Sequence, residues 1–328
     1  MKAVRFSGYG LGHFQALAFL PSHHLQIAAK CGLKRKYMRW QFICPLLIVV
    51  FAATAFTAET TKLPITGDQP IWHDDYLTAI ESARDSKKLL LVWFADEKKE
   101  SANDKFAAAV LNAAEMQPTL TTMTLAKVST TAAIEEKGKE VKLLEHPTLR
   151  ELLGGPGLAM IDFRNEKAKH HLTVVSIYPF RRGEITLPKF KVLCELPAGT
   201  LTQRTLMFAV RTHPAKPASA WSPHSEYLAR EAEKHSVHQA SINLQGHHNW
   251  EARFHQINAG LGVGGAKEVC AESWPGQSLL EAAEECVDSW SQSSGHWASV
   301  SAAHAYFGYD MKRGTNGVWY ATGIFGGR

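Results

Sequence analysis

Apolar residues recur along this chain with two periods, and the period changes mark its elements. From Trp72 the pattern is helical, with Tyr76, Leu77, Ile80 and Ala83 on one face and Asp74 or Asp75 as caps. Lys87-Lys88 then introduces the continuous apolar run Leu89 to Phe94, which predicts a buried, parallel strand. A second helix is expected over 102–115 and strands over 120–128 and 158–163, the last preceded by Gly154-Gly155-Pro156-Gly157. A short helix is expected over 146–153, and residues 178–210, interrupted by Pro179, Pro188 and Pro197, are expected to complete the sheet. Ser222-Pro223 reads as an N-cap and first helical residue for a helix to about Ala240, with Tyr227, Leu228 and Ala232 as its apolar positions. Ser278 and Glu281 stand at capping-box spacing before Leu279, Ala283, Cys286, Val287 and Trp290, so a further helix carries Trp290 into the core. Ser293-Ser294-Gly295 breaks that period and leaves His296 on a loop or strand entrance. Two strands, 305–311 and 318–325, close the chain through the turn signal Asn316-Gly317.

The chain has 328 residues, enough for two domains of ordinary size. The stretch 213–221, with two prolines among small residues, is the expected linker between domains over 69–212 and 222–328. A formal charge of +5 misleads: residues 1–58 hold seven Lys or Arg and no acid, which leaves 29 basic against 31 acidic residues in the rest. No basic stripe interleaved with aromatics is present, which argues against nucleic-acid binding. The apolar run from Phe42 to Ala55 is shorter than a bilayer span and follows Lys34-Arg35-Lys36 and Arg39. With the A-x-A site Ala53-Thr54-Ala55, or Ala58 as the alternative cut, residues 1–58 read as an N-terminal extension and secretory signal, with a retained anchor as the other reading. Translation from Met38 would give that signal an ordinary basic start. The expected location is therefore secreted or periplasmic, with membrane contact only during export. Cys194, Cys270 and Cys286 follow the signal, and Cys270 and Cys286, bracketing the capped helix, are the natural disulfide in an oxidising compartment, with Cys286 as a buried small hydrophobe on the helix face as the other reading.

Candidate chemistry gathers in the last third. Gly246-His247-His248-Asn249-Trp250-Glu251-Ala252-Arg253, then Gly264-Gly265-Ala266-Lys267-Glu268-Val269, then Trp290-Ser291-Gln292-Ser293-Ser294-Gly295-His296 occur in that order. In order and spacing they resemble the bacterial form of the CAP superfamily, the cysteine-rich secretory, antigen 5 and pathogenesis-related proteins. The family's Asn after the glutamate is Val269 here. The resemblance implies a three-layer α-β-α sandwich and a cleft in which His247, Glu268 and His296 are three of four polar residues. Two imidazoles and a carboxylate suit Zn²⁺ or another divalent metal, with His247 and His296 as ligands, and Arg253 is expected beside them. His248 is the rival to His247, while Glu272, Glu284 and Glu285 compete for the second acidic place. The implied function is binding of a small apolar molecule, a peptide or an extracellular polymer. A metal-assisted hydrolase with Glu268 as general base is the alternative, and a structural cell-surface protein the second.

The first half resembles a thioredoxin-like domain through Trp72-x-x-Asp75-Tyr76, the strand 88–94 and Pro156, where that family keeps a cis-proline. The fold class expected overall is α/β: a thioredoxin-like α/β domain followed by the CAP-like sandwich. Cys-x-x-Cys is missing from its place, which reads Ala95-Asp96-Glu97-Lys98-Lys99-Glu100-Ser101, and no cysteine lies between Cys44 and Cys194. Dithiol redox chemistry is thereby excluded from this half. H-E-x-x-H, Walker A and G-x-S-x-G motifs do not occur.

Overall fold

Leu89 to Ala95 form the fully buried centre of a five-stranded mixed sheet, as the unbroken apolar run requires. A computed structural model describes residues 70–136, 138–262 and 264–327; the signal, Met38, Cys31 and Cys44 lie outside them. In chain order the first half runs β1 (Trp72–His73), α1 (Tyr76–Ser86), β2 (Leu89–Ala95), α2 (Glu100–Phe106), α3 (Gln117–Leu120) and β3 (Thr124–Ser129). It continues with β4 (Ala133–Glu136), β5 (Lys139–Lys142), β6 (Gly157–Asp162), β7 (Val174–Pro179), α4 (Leu187–Cys194) and α5 (Leu201–Thr212). The second half comprises α6 (Glu226–Ile242), α7 (Trp250–Leu261), β8 (Lys267–Glu272), α8 (Leu279–Gln292), α9 (Ser294–Val300), β9 (Tyr306–Arg313) and β10 (Trp319–Gly326). The chain is thus α/β. Among the described residues no helix is long and apolar enough to cross a membrane.

The large sheet has the order β1-β3-β2-β6-β7, with β1, β3 and β2 parallel and β6 and β7 antiparallel to their neighbours. Asp75 caps α1 by accepting the Thr78 amide at 2.8 Å. After β2, Asp96 accepts the Lys98 amide and starts the helical turns that lead into α2. Residues 178–210 contribute only the end of β7 to the sheet; the rest of that stretch is α4 and α5. The helix expected over 146–153 is a short 3-10 turn.

A second, antiparallel sheet has the order β8-β10-β9. On one face Leu228 and Ala232 of α6 and Ile257 of α7 pack with Ile324 of β10. On the other, Val269 and Ala271 of β8 meet Leu279, Ala283, Cys286 and Trp290 of α8 and Val300 of α9. The α8 capping box forms, with Glu281 accepting the Ser278 amide at 3.1 Å, and Trp290 is fully buried.

Three expectations are corrected. The helix placed at Ser222-Pro223 begins at Glu226 with Ser225 as its cap, because the preceding residues run beside β9: the Pro223 carbonyl accepts the Phe307 amide and Ser222 Oγ accepts that of His304. His296 lies in a short helix rather than on a loop, since the chain turns back into helix at Ser294 directly after α8, with the Ser293 carbonyl accepting the Trp297 amide. The boundary at 213–221 does not separate two cores, for the described residues belong to one compact unit and one apolar cluster runs through both halves. Helix α5 carries that continuity. Its Arg204 is fully buried against Ser176 Oγ of β7 and the carbonyls of Leu193, Leu196 and Pro197, while Thr202 donates to Asp310 of β9 at 2.7 Å. Within the supposed linker Ser219 and Ala220 are buried, and the Ser219 hydroxyl meets that of Tyr309 at 2.7 Å. Across the halves, Glu151 accepts the amide of Leu279, the first residue of α8.

Candidate functional site

The site is built around Glu268, whose position follows from the alternation of β8. Val269 and Ala271 face α8, so Glu268 and Cys270 face the other way. The Glu268 side chain is 1% exposed, and three cationic or protonatable groups converge on it. His247 Nδ1 is 3.0 Å from Oε1, Arg253 donates to Oε2, and His235 Nε2 lies 3.6 Å from Oε1. Burial raises the Glu268 pKa, but the bonds from His247 and Arg253 and the charges of His235 and Arg253 outweigh it and leave the carboxyl below its usual range.

His247 is aimed by the loop between α6 and α7. Asn243 ends α6 in the left-handed region (φ 53°), where asparagine is tolerated, and Asn249 opens α7 in the same region (φ 52°). Buried side chains of α6 grip the loop between them: Gln239 Oε1 accepts the Gly246 amide at 3.1 Å, and His235 Nε2 donates to the Gly246 carbonyl at 2.8 Å. Arg253, one turn into α7, lays its guanidinium 5.5 Å from the centre of the Trp250 ring and brings it to Glu268. From the opposite layer, α9 places His296 Nε2 3.5 Å from His247 Nε2. Burial and the neighbouring His247 lower the His296 pKa.

All four residues assigned from the sequence, His247, Glu268, His296 and Arg253, therefore come together. The disulfide does not: Cys270 and Cys286 are free thiols. Cys286 sits in the core beneath α8, whereas Cys270 is on the opposite face of β8, 3.8 Å from His247 Nδ1, so their spacing in sequence bridges the sheet rather than a gap that a disulfide could close. His248 turns away from Glu268 and donates to the Leu244 carbonyl at 3.2 Å. Of the acidic rivals, Glu284 pairs with Arg182 and Glu285 accepts from Trp274, both away from the site. Trp290 and Trp319 are core, Trp250 lines the site through Arg253, and Trp274 is exposed.

Sequence reasoning missed His235, which sits on the buried face of α6 with Leu228 and Ala232, and Cys270 as a thiol. A histidine at i+3 from a buried alanine, on the apolar stripe, was the available signal.

The donors His235, Glu268 and Cys270 lie within 4.8 Å of one another, close enough to hold one metal ion. Three features oppose filling that set: Arg253 already neutralises Glu268, His235 Nε2 is committed to Gly246, and burial keeps the Cys270 thiol well above its ordinary pKa. The pair His247 and His296 is better disposed. With Nδ1–H given to Glu268, His247 keeps its lone pair on Nε2, the carboxylate–histidine arrangement that orients metal ligands. Two metal–nitrogen bonds of about 2.0–2.1 Å at a tetrahedral angle hold their nitrogens about 3.3 Å apart, against the 3.5 Å found between these two. Glu268 is enclosed and engaged through both oxygens, whereas a general base needs a free oxygen facing substrate.

No family model matches the sequence, and no curated protein matches it.

Proposed function

We propose that this is an exported CAP-like protein that binds a peptide or extracellular polymer through a divalent ion held by His247 and His296. The observation that carries the reading is the facing Nε2 pair at 3.5 Å, one member of which is oriented by a buried carboxylate. Imidazole donors suit Zn²⁺ or a similar borderline ion, and two protein ligands leave positions for a carbonyl or carboxylate of the ligand. His247 is exposed, its side chain 41% accessible, so a large ligand can reach it. The CAP resemblance is supported by an antiparallel sheet covered by helices on both faces. The thioredoxin resemblance is supported by a strand order in which three parallel strands are followed by two antiparallel ones. What the metal supplies when bound is a Lewis-acidic anchor; Glu268 fixes the His247 ring, and Arg253 keeps Glu268 ionised.

The test is Zn²⁺ titration of the purified, metal-stripped protein beside His247→Ala/His296→Ala. Loss of one ion per chain in the double variant is expected, together with weaker metal-dependent binding to peptide and polymer panels. Equal Zn²⁺ uptake by both proteins would remove the reading.

A further inference from the structure

The imidazoles of His235, His238 and His248 line a pocket of about 160 Å³ that adjoins the site at Glu268 through His235 and Arg253. His235 and His238 stand three apart on α6, on neighbouring turns of one side of the helix, and His248 comes from the loop that follows. Their ring centres are 5.3 Å apart for His238 and His248, 6.0 Å for His235 and His248, and 6.3 Å for His235 and His238. Two imidazoles on one ion, with bonds of about 2.0–2.1 Å, place their ring centres about 5 Å apart, against 5.3 to 6.3 Å here, so the trio has to draw inward around an ion.

The hydrogen bonds of the trio decide which nitrogens are free. A carbonyl only accepts, so His235 Nε2 must carry the proton it gives to Gly246 at 2.8 Å, and His248 Nε2 the proton it gives to Leu244 at 3.2 Å. Both rings, when neutral, then hold their lone pair on Nδ1. Backbone carbonyls that fix the tautomer of a histidine in this way are the usual outer partners of metal-ligating imidazoles. Both carbonyls belong to the same loop, and the absence of a side chain at Gly246 lets the His248 ring lie against it: a Cβ there would stand 3.2 Å from the ring. His238 is exposed and free to change rotamer.

The charges at the pocket do not repel a cation. Lys234 is paired with the Glu231 carboxylate at 2.6 Å, and Arg253 is paired with Glu268.

We infer that His235, His238 and His248 form a second metal site, selective for a divalent transition ion such as Zn²⁺, Ni²⁺ or Cu²⁺ over Ca²⁺ or Mg²⁺. Imidazole donors impose that selectivity, since hard cations take oxygen ligands. The site shares no ligand with the His247 and His296 pair, and because His235 also holds the Gly246 loop beside His247, the variants that separate the two sites leave His235 in place.

The experiment is calorimetric titration of the metal-stripped full chain with Zn²⁺ alone, and with Mg²⁺ alone as the hard-ion comparison. Wild type is expected to take two Zn²⁺, and His238→Ala/His248→Ala to take one. His247→Ala/His296→Ala retains the ion at the trio. His238→Ala by itself, at an exposed position that leaves the core intact, should weaken one of the two Zn²⁺ sites at least about tenfold. The inference is overturned if His238→Ala binds Zn²⁺ with the stoichiometry and affinities of wild type, if wild type holds only the ion lost in His247→Ala/His296→Ala, or if Mg²⁺ occupies the trio equally well.

Discussion

His235 makes the fold sensitive to acid in a way that can be isolated. Its side chain is 1% exposed, and burial lowers its pKa from the ordinary 6.5 to about 4, against the pull of Glu268, which favours the charged ring. The sign follows from proton counting. Between pH 6.5 and 4 the unfolded chain binds a proton at this histidine and the folded chain does not, so stability falls as pH falls through that window. The shift spans about 2.5 pH units at 1.36 kcal/mol each, or about 3 kcal/mol lost by pH 4 and none above pH 7. Other groups titrate in the same range, so the measurement is a difference. Urea unfolding at pH 7, 5.5 and 4, in the presence of chelator, is compared for wild type and His235→Gln, whose amide can still donate to the Gly246 carbonyl but does not titrate. The variant should lose about 3 kcal/mol less than wild type between pH 7 and 4. Parallel pH curves for the two proteins would refute the assignment of a buried neutral imidazole.

Other expected outcomes concern packing and covalent state. Gly308 of β9 lies where α6 crosses the sheet, and a Cβ there would run into the backbone of Leu228 and Ala229; Gly308→Ala should lower stability by about 2–3 kcal/mol, read from the denaturant midpoint. Arg204→Ala would leave the carbonyls of Leu193, Leu196 and Pro197 without their donor in the core, with an expected loss of about 3 kcal/mol or more by the same assay. Because Cys270 and Cys286 are free and buried, dithiothreitol should leave Tm unchanged, and thiol counting should find both cysteines only after denaturation; a Tm drop on reduction would restore the disulfide.

What was legible in the sequence depended on how local the cause was. The α8 capping box, the buried Trp290 and the Asn316-Gly317 turn, where Gly317 takes φ +81°, are set by residues within a few positions of one another. The converging of His247, Glu268, His296 and Arg253 was visible through a resemblance rather than through periodicity, because the groups come from four elements. Ser222-Pro223 has the chemistry of a helix start, but its backbone is taken by β9, a partner more than eighty positions away. Strand β8 escaped notice because its outward residues are charged or polar and only Val269 and Ala271 mark its inner face. The small residues at 218–220 read as a flexible tether, although the Ala220 carbonyl accepts from Arg211 and the Ser219 hydroxyl meets that of Tyr309. The disulfide failed because proximity in sequence says nothing about which face of a strand a side chain takes.

Helix α5, wedged between both sheets, has a consequence for how the molecule comes apart. With Arg204 tied to β7 and Thr202 tied to Asp310 on β9, neither sheet keeps its own back wall if the other melts. A chain cut near residue 212 would expose the apolar underside of α5 in one fragment and of α8 in the other, so the pieces are not portable modules. Amide exchange should release β2 and β10 together, and an ion bound at the histidines of the second half should slow exchange in strands of the first that no ligand touches.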